Sequence, residues 1–251
     1  MESLSRRTFT SRTLGSLMTW SLLETCSQHD LFADDVKPDI IRWLKTVNKL
    51  GREAQQQTLR QVEWQALIEK LFSKVDRDDL MQSIDFDRLT KNVTPPDNGA
   101  RSLRFRLPHV DGLPTRYVFG KQIFALKKGR SVVPHGHNNM ATAFLVLKGD
   151  FRGRHYDRIE DLPNSIVIKP TIDRTFRPGE NSTISDYKDN VHWFQAISGP
   201  AYLFNIHVFG VTPYSNRQTG RVYLDPNGEK LAGGLIRAPR VSYKRAHALY
   251  G

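Results

Sequence analysis

The stretch Pro134-His135-Gly136-His137-Asn138-Asn139-Met140 carries the spacing that decides how this chain folds. Side chains of a β-strand alternate between faces, so His135 and His137 project from one face, about 7 Å apart along the strand, and can converge on one ion. Pro134 has no backbone N–H, which suits a strand entry at a barrel mouth. Working outward, Gly129 stands six residues before His135, and Gly149 lies beyond the apolar run Ala143 to Leu147. Much later, Pro178-Gly179 leads through Asp189-Asn190-Val191 to His192, a third imidazole on a separate segment.

These two elements are similar to the paired motifs of the cupins, G-x5-H-x-H with a closing glycine and then a segment bearing a single histidine. The resemblance implies a mainly β fold, a single cupin-type jelly-roll barrel, with one divalent metal held on His135, His137 and His192. The usual cupin carries a glutamate five residues after its second motif histidine, and here Thr142 stands at that position. Three neutral imidazoles leave the ion's charge uncompensated, which favours an anionic ligand and leaves coordination positions open. Imidazole suits iron, zinc, nickel and copper alike, so the ligand set alone does not choose among them or against manganese.

A narrower likeness points to iron. The Pro134–Met140 stretch, with Leu147-Lys148-Gly149 and His155-Tyr156-Asp157 behind it, resembles the cysteamine and plant cysteine dioxygenases. Their pattern runs P-x-H-x-H-P-G-M, a glycine-ended strand, then Y-D. Asn190-Val191-His192-Trp193-Phe194 is similar to their G-N-x-H-x-F, and Phe209-Gly210-Val211-Thr212-Pro213-Tyr214-Ser215 to their L-G-P-P-Y-S. The resemblance covers residues 129 to 221. It implies Fe2+ on the three histidines and addition of dioxygen to a small thiol, giving a sulfinate. Asn138-Asn139 replace the family's Pro-Gly, and Asn216 stands where it often has an acidic residue, departures that bear on the substrate class and on activity. A metal- or small-ligand-binding cupin without oxygenase chemistry, a binding module or an isomerase, is the other reading left open.

Alternation supplies further candidates. Counting back from His207 puts Asn205 and Leu203 on one face of a strand and Tyr202, Phe204 and Ile206 on the other. His207 is thus a candidate catalytic residue lining the barrel, or a hydrogen-bonded structural histidine. Arg152, Arg154 and Tyr156 share a face, so Arg154 is a candidate for holding a substrate carboxylate bidentately, with Tyr156 beside it. The competing reading is a solvent-facing basic strand.

Upstream, Ile40, Ile41, Leu44, Val47 and Leu50, and then Val62, Leu67, Ile68, Leu71, Phe72 and Val75, recur at helical spacing and predict an α-helical hairpin. Gly51 either breaks the first helix or sits within it, and a shorter helical piece is expected around Asp78 to Leu89. Strand-rich runs follow at Tyr117–Leu126, Ala143–Leu147, Ser165–Ile168, His192–Ile197 and Tyr202–Phe209. The expected organisation is a leader over 1–30, a helical module over 34–94, the barrel over 100–226, and a basic C-terminal stretch over 227–251 serving as a surface arm or homodimer contact.

Thirty-seven basic residues against 26 acidic give a net charge of +11, but no Lys/Arg run reaches five and no nucleic-acid motif accompanies the charge. The expected partners are therefore a small molecule and dioxygen, with no nucleic acid. Cys26 is the only cysteine, which excludes an intramolecular disulfide and a cysteine-based metal site. Ser5-Arg6-Arg7-Thr8-Phe9, followed by the weakly apolar Leu14–Leu23, resembles a twin-arginine export signal, although Glu24 interrupts it and no A-x-A cleavage site follows. That apolar stretch is too short and polar for a transmembrane span. The resemblance implies export to a bacterial periplasm; without a working leader the chain stays in the cytoplasm.

Overall fold

A computed structural model describes residues 39–107, 109, 111, 116–213 and 218–251. The leader with Cys26, residues 34–38 and the segment holding Tyr214, Ser215 and Asn216 lie outside the described residues. Four helices come first: α1 (Ile40–Gln55), α2 (Gln61–Lys74), α3 (Arg77–Ser83) and α4 (Phe86–Thr90). The strands are β1 (Arg101–Leu103), β2 (Phe119–Leu126), β3 (Ser131–Asn138), β4 (Met140–Lys148), β5 (Phe151–Asp161), β6 (Ser165–Phe176), β7 (Asn181–Ile184), β8 (Val191–Ala196), β9 (Ala201–Phe209), β10 (Gly220–Tyr223), β11 (Glu229–Lys230) and β12 (Ile236–Pro239), and α5 (Tyr243–Tyr250) ends the chain.

The strands form two antiparallel sheets, one ordered β1-β2-β9-β4-β7 and the other β10-β3-β8-β5-β6-β12-β11. From β2 to β9 the chain alternates between the two layers except at the β5–β6 hairpin, giving the jelly-roll orders β2-β9-β4-β7 and β3-β8-β5-β6, and four of the helices precede the strands. This is the mainly β, cupin-type barrel expected from the sequence.

Helix α1 starts at Asp39, whose side chain accepts a hydrogen bond from the backbone N–H of Arg42 at 2.7 Å, satisfying one of the free donors of the first turn. Trp43, Leu44, Val47, Leu50, Gly51 and Ala54 are buried at helical spacing along one stripe. That stripe lies on the outer face of the five-stranded sheet, where the Trp43 ring packs 5.2 Å from Phe72 of α2 and 6.3 Å from Phe204 of β9. Each fully buried phenylalanine contributes about 1.5–3 kcal/mol through its removal from water. Gly51 sits within the helix, at a close approach that favours glycine: a Cβ there would come 2.9 Å from Val118 Cγ2. The expected single helical piece near Asp78 is two short helices, α3 and α4, and among the described residues no helix is long and apolar enough to cross a membrane.

Inside the barrel the two ends differ. One is filled by Leu126, Phe144, Phe151, Phe176, Phe194 and Leu203 with their neighbours, all buried. The other collects the histidines. A smaller apolar cluster, Tyr156, Ile166, Ile168, Val191, Leu224 and Ala238, lies on the outer face of the seven-stranded sheet. It corrects the expected arm over 227–251: β12 pairs with β6 through Ile236 opposite Ile168 and Ala238 opposite Ile166, so this stretch is sewn into the sheet. The exposed basic residues between its apolar positions hide that pattern in the sequence.

Candidate metal centre

Strand β3 brings in two histidines and β8 the third. Between Val132 and His135 the pairing of β3 with β8 shifts register, and Pro134 sits in that irregularity, where its missing N–H leaves no ladder bond unmade. Beyond it, His135 lies directly opposite His192. The three rings close on one another, with centroids 4.2 Å apart for His135 and His192, 5.0 Å for His135 and His137, and 4.9 Å for His137 and His192. One ring nitrogen from each lies within 4.8 Å of the other two, and all three side chains are buried. The structure thus brings together the three histidines expected from the motif spacing.

His135 Nδ1 lies 2.7 Å from the Val133 carbonyl, so it carries the proton and leaves Nε2 as the lone-pair nitrogen. His137 Nε2 and His192 Nδ1 are buried without a hydrogen-bond partner. Orphaned buried nitrogens are costly unless something else engages them. Burial holds His135 down to about 3, helped by the nearby positive charge of Arg221, and holds His137 and His192 well below the ordinary imidazole range, with the neighbouring rings adding to it. Uncharged imidazoles with free lone pairs are what a divalent ion requires, and the residues fit such an ion. Among the described residues no carboxylate belongs to the cluster.

Thr142, in the glutamate's place, is buried on β4 opposite His207 of β9. Its hydroxyl lies 3.1 Å from His137 Nδ1 and 3.0 Å from His207 Nδ1. His207 Nε2 in turn lies 2.9 Å from Gln122 Nε2, and Ser102 Oγ donates to Gln122 Oε1 at 2.6 Å. His207 is therefore one side chain removed from the triad and linked to it through Thr142. Neither Thr142 nor Gln122 was legible as a partner of the metal centre; the only signal was the missing glutamate.

Two expected site residues belong elsewhere. On β5, His155 is opposite His192 and faces into the barrel, stacked at 18° on Phe176. Its neighbours Arg154 and Tyr156 must then point outward. Tyr156 is part of the outer apolar cluster, and Arg154 stacks on the Trp193 ring at 4.2 Å with Asp173 3.5 Å away. These two residues do share a face, but it is the face turned away from the histidines.

Residues 138 and 139, where the family has Pro-Gly, form the turn between β3 and β4. Asn139 adopts a positive φ of 56°, a conformation asparagine tolerates better than most residues, and its N–H donates to Asp186 at 2.9 Å. Arg158 donates to Asn138 Oδ1 at 2.7 Å, and Asn190 Nδ2 donates to the His137 carbonyl at 2.8 Å. The asparagines are thus built into the end of the barrel that carries the triad.

No family model matches this chain, and no curated protein does. Among solved structures, an uncharacterized conserved protein with a double-stranded β-helix domain from Klebsiella pneumoniae is 12% identical over 53% of this chain and 85% of that one, with a TM-score of 0.35. An oxalate oxidase is 18% identical over 51% and 56%, with a TM-score of 0.35. An 11S globulin from Wrightia tinctoria is 15% identical over 42%, at a TM-score of 0.31, and this chain spans 22% of its length. Likenesses this partial carry no argument, and the architecture rests on the strand order and register described above.

Proposed function

We propose that this chain is a mononuclear non-haem iron enzyme, a dioxygenase that adds dioxygen to a small thiol. The observation that carries the reading is the buried cluster of three uncharged imidazoles with orphaned ring nitrogens and no carboxylate. Iron(II) held there supplies Lewis acidity and redox chemistry, and the overall reaction, thiolate plus dioxygen to sulfinate, needs no further oxidant. The chain's own residues present the lone pairs, keep them uncharged by burial, and hold His137 in place through Thr142. With no anionic ligand among the described residues, the three imidazoles would leave the charge of a bound dication for an anionic group of the substrate to offset. The motif likeness over residues 129 to 221 supports thiol chemistry in particular, and the twin-arginine-like leader supports export of the folded protein to a periplasm.

Oxygen uptake by iron-loaded protein offered a panel of small thiols tests this. Consumption of one dioxygen per sulfinate formed is expected. Full iron occupancy with no uptake for any thiol overturns the dioxygenase reading and leaves a metal-binding module; a native ion that is zinc alone does the same.

A further inference from the structure

We propose that Arg221, on the edge strand β10, selects the substrate by binding a carboxylate on the molecule that reaches the metal, an inference that rests on the metal centre assigned above. Strand β10 pairs with β3 so that Arg221 lies opposite His137, Val222 opposite Gly136 and Tyr223 opposite His135. Residues directly opposed in an antiparallel pair share a face, with Cβ atoms about 4.5–5.5 Å apart. Val222 packs on the outer apolar cluster, so Arg221 and Tyr223 belong to the face that carries the histidines. The Tyr223 ring lies 5.7 Å from that of His135, and the positive charge of Arg221 acts on the Tyr223 phenol beside it. The positive charge of Arg221 reaches all of His135, His137, His192 and His207, opposing their protonation.

Arg221 is exposed where the histidines are buried, so its guanidinium stands at the entrance. Elsewhere on the same sheet the arginines are already engaged: Arg152 and Arg154 with Asp173, Arg158 and Arg240 with Asp161, Arg237 with Glu229. Arg221 pairs with no carboxylate among the described residues. A guanidinium fork matches a carboxylate in two parallel hydrogen bonds. Charge also favours a doubly anionic molecule: a divalent ion on three neutral ligands plus one guanidinium is three positive charges, and a thiolate with a carboxylate offsets two of them. Adjacent strands stand only about 4.8 Å apart, so the two anionic groups belong to one short molecule.

The test uses cobalt(II)-loaded protein titrated with 3-mercaptopropionate and with its methyl ester, binding being followed by the cobalt absorption. Wild type is expected to bind the acid at least about tenfold more tightly than the ester, the worth of one good charge-assisted contact. Arg221→Gln is expected to erase that preference while keeping full cobalt stoichiometry, and Arg221→Lys to keep part of it. Equal binding of acid and ester by wild type, binding of neither, or a preference that survives Arg221→Gln overturns the proposal. Loss of the metal reading is separately visible: wild-type protein that retains no cobalt removes both, whereas loaded protein without acid preference removes this one alone.

Discussion

Across β10, β3, β8 and β5 the inward row reads Tyr223, His135, His192, His155, and the row one residue away, facing outward, reads Val222, Gly136, Val191, Tyr156. The same four strands, offset by one position, carry the metal centre on one side and a dry seam on the other. Gly136 shows how tight the seam is: a Cβ there would come 2.8 Å from Asn190 Oδ1 and 3.2 Å from both Val191 Cγ2 and Val222 Cγ1. Side-chain chemistry in this barrel is sorted by parity, and a residue's neighbours in sequence say little about which row it joins.

The sharpest way to break this contrast is to truncate one member of each row on β8. His192→Ala is expected to remove a ligand and lower metal affinity by far more than the roughly 10–100-fold of a supporting contact, read as metal content of the folded protein. Val191→Ala should cost about 1–3 kcal/mol of stability, read by denaturant unfolding, with metal content unchanged. A His192 variant that retains full stoichiometry would refute the assignment.

Acid separates the rows next. His135, His155 and His207 are each held down to about 3 from 6.5 by burial, so the unfolded chain takes up protons that the folded one refuses. Their contribution to stability is whole above pH 6.5 and is lost as the pH falls toward 3. Thermal melts of metal-free protein should show the midpoint dropping over that window, and His155→Phe should flatten the dependence. A flat profile would mean that these imidazoles are not buried uncharged.

Thr142→Val keeps shape and removes the hydroxyl shared by His137 and His207. Metal affinity is expected to fall about 10–100-fold with the fold retained, measured by competition with a chelator. Arg154→Gln should do least, leaving metal affinity and thiol binding as in wild type, because its guanidinium lies on the outward face over Trp193. A change in thiol affinity there would return Arg154 to the site.

The contrast also explains what was legible beforehand. Two ligands of the triad could be read from spacing because they share one strand, and the third from the resemblance of its segment to the second cupin motif. The hairpin helices were readable from their apolar stripe. Strand β5 was readable only as an alternation and not as an apolar run, since its residues Arg152, Arg154 and Arg158 pair with carboxylates and break the apolar pattern of a strand. For Arg154 and Tyr156 a substrate-facing row and a solvent-facing strand were both open, because parity within a strand shows which residues agree, and only its register against β8 shows that they face outward. Arg221 was invisible for a like reason: its partner His137 is far away in sequence, and β10 is only four residues long.

The hydroxyl of Thr142 has one proton to give and stands between two Nδ1 atoms. With Gln122 Nε2–H donating to His207 Nε2, the proton of His207 sits on Nδ1 and is donated to Thr142 Oγ. A hydroxyl oxygen accepts two hydrogen bonds, so Thr142 Oγ has room for a second from His137 Nδ1–H, the tautomer that leaves His137 Nε2 free for an ion. The tautomers of a candidate ligand and of His207 thus meet at one buried hydroxyl, in a hydrogen-bond series that runs on through Gln122 to the exposed Ser102 on the sheet's edge.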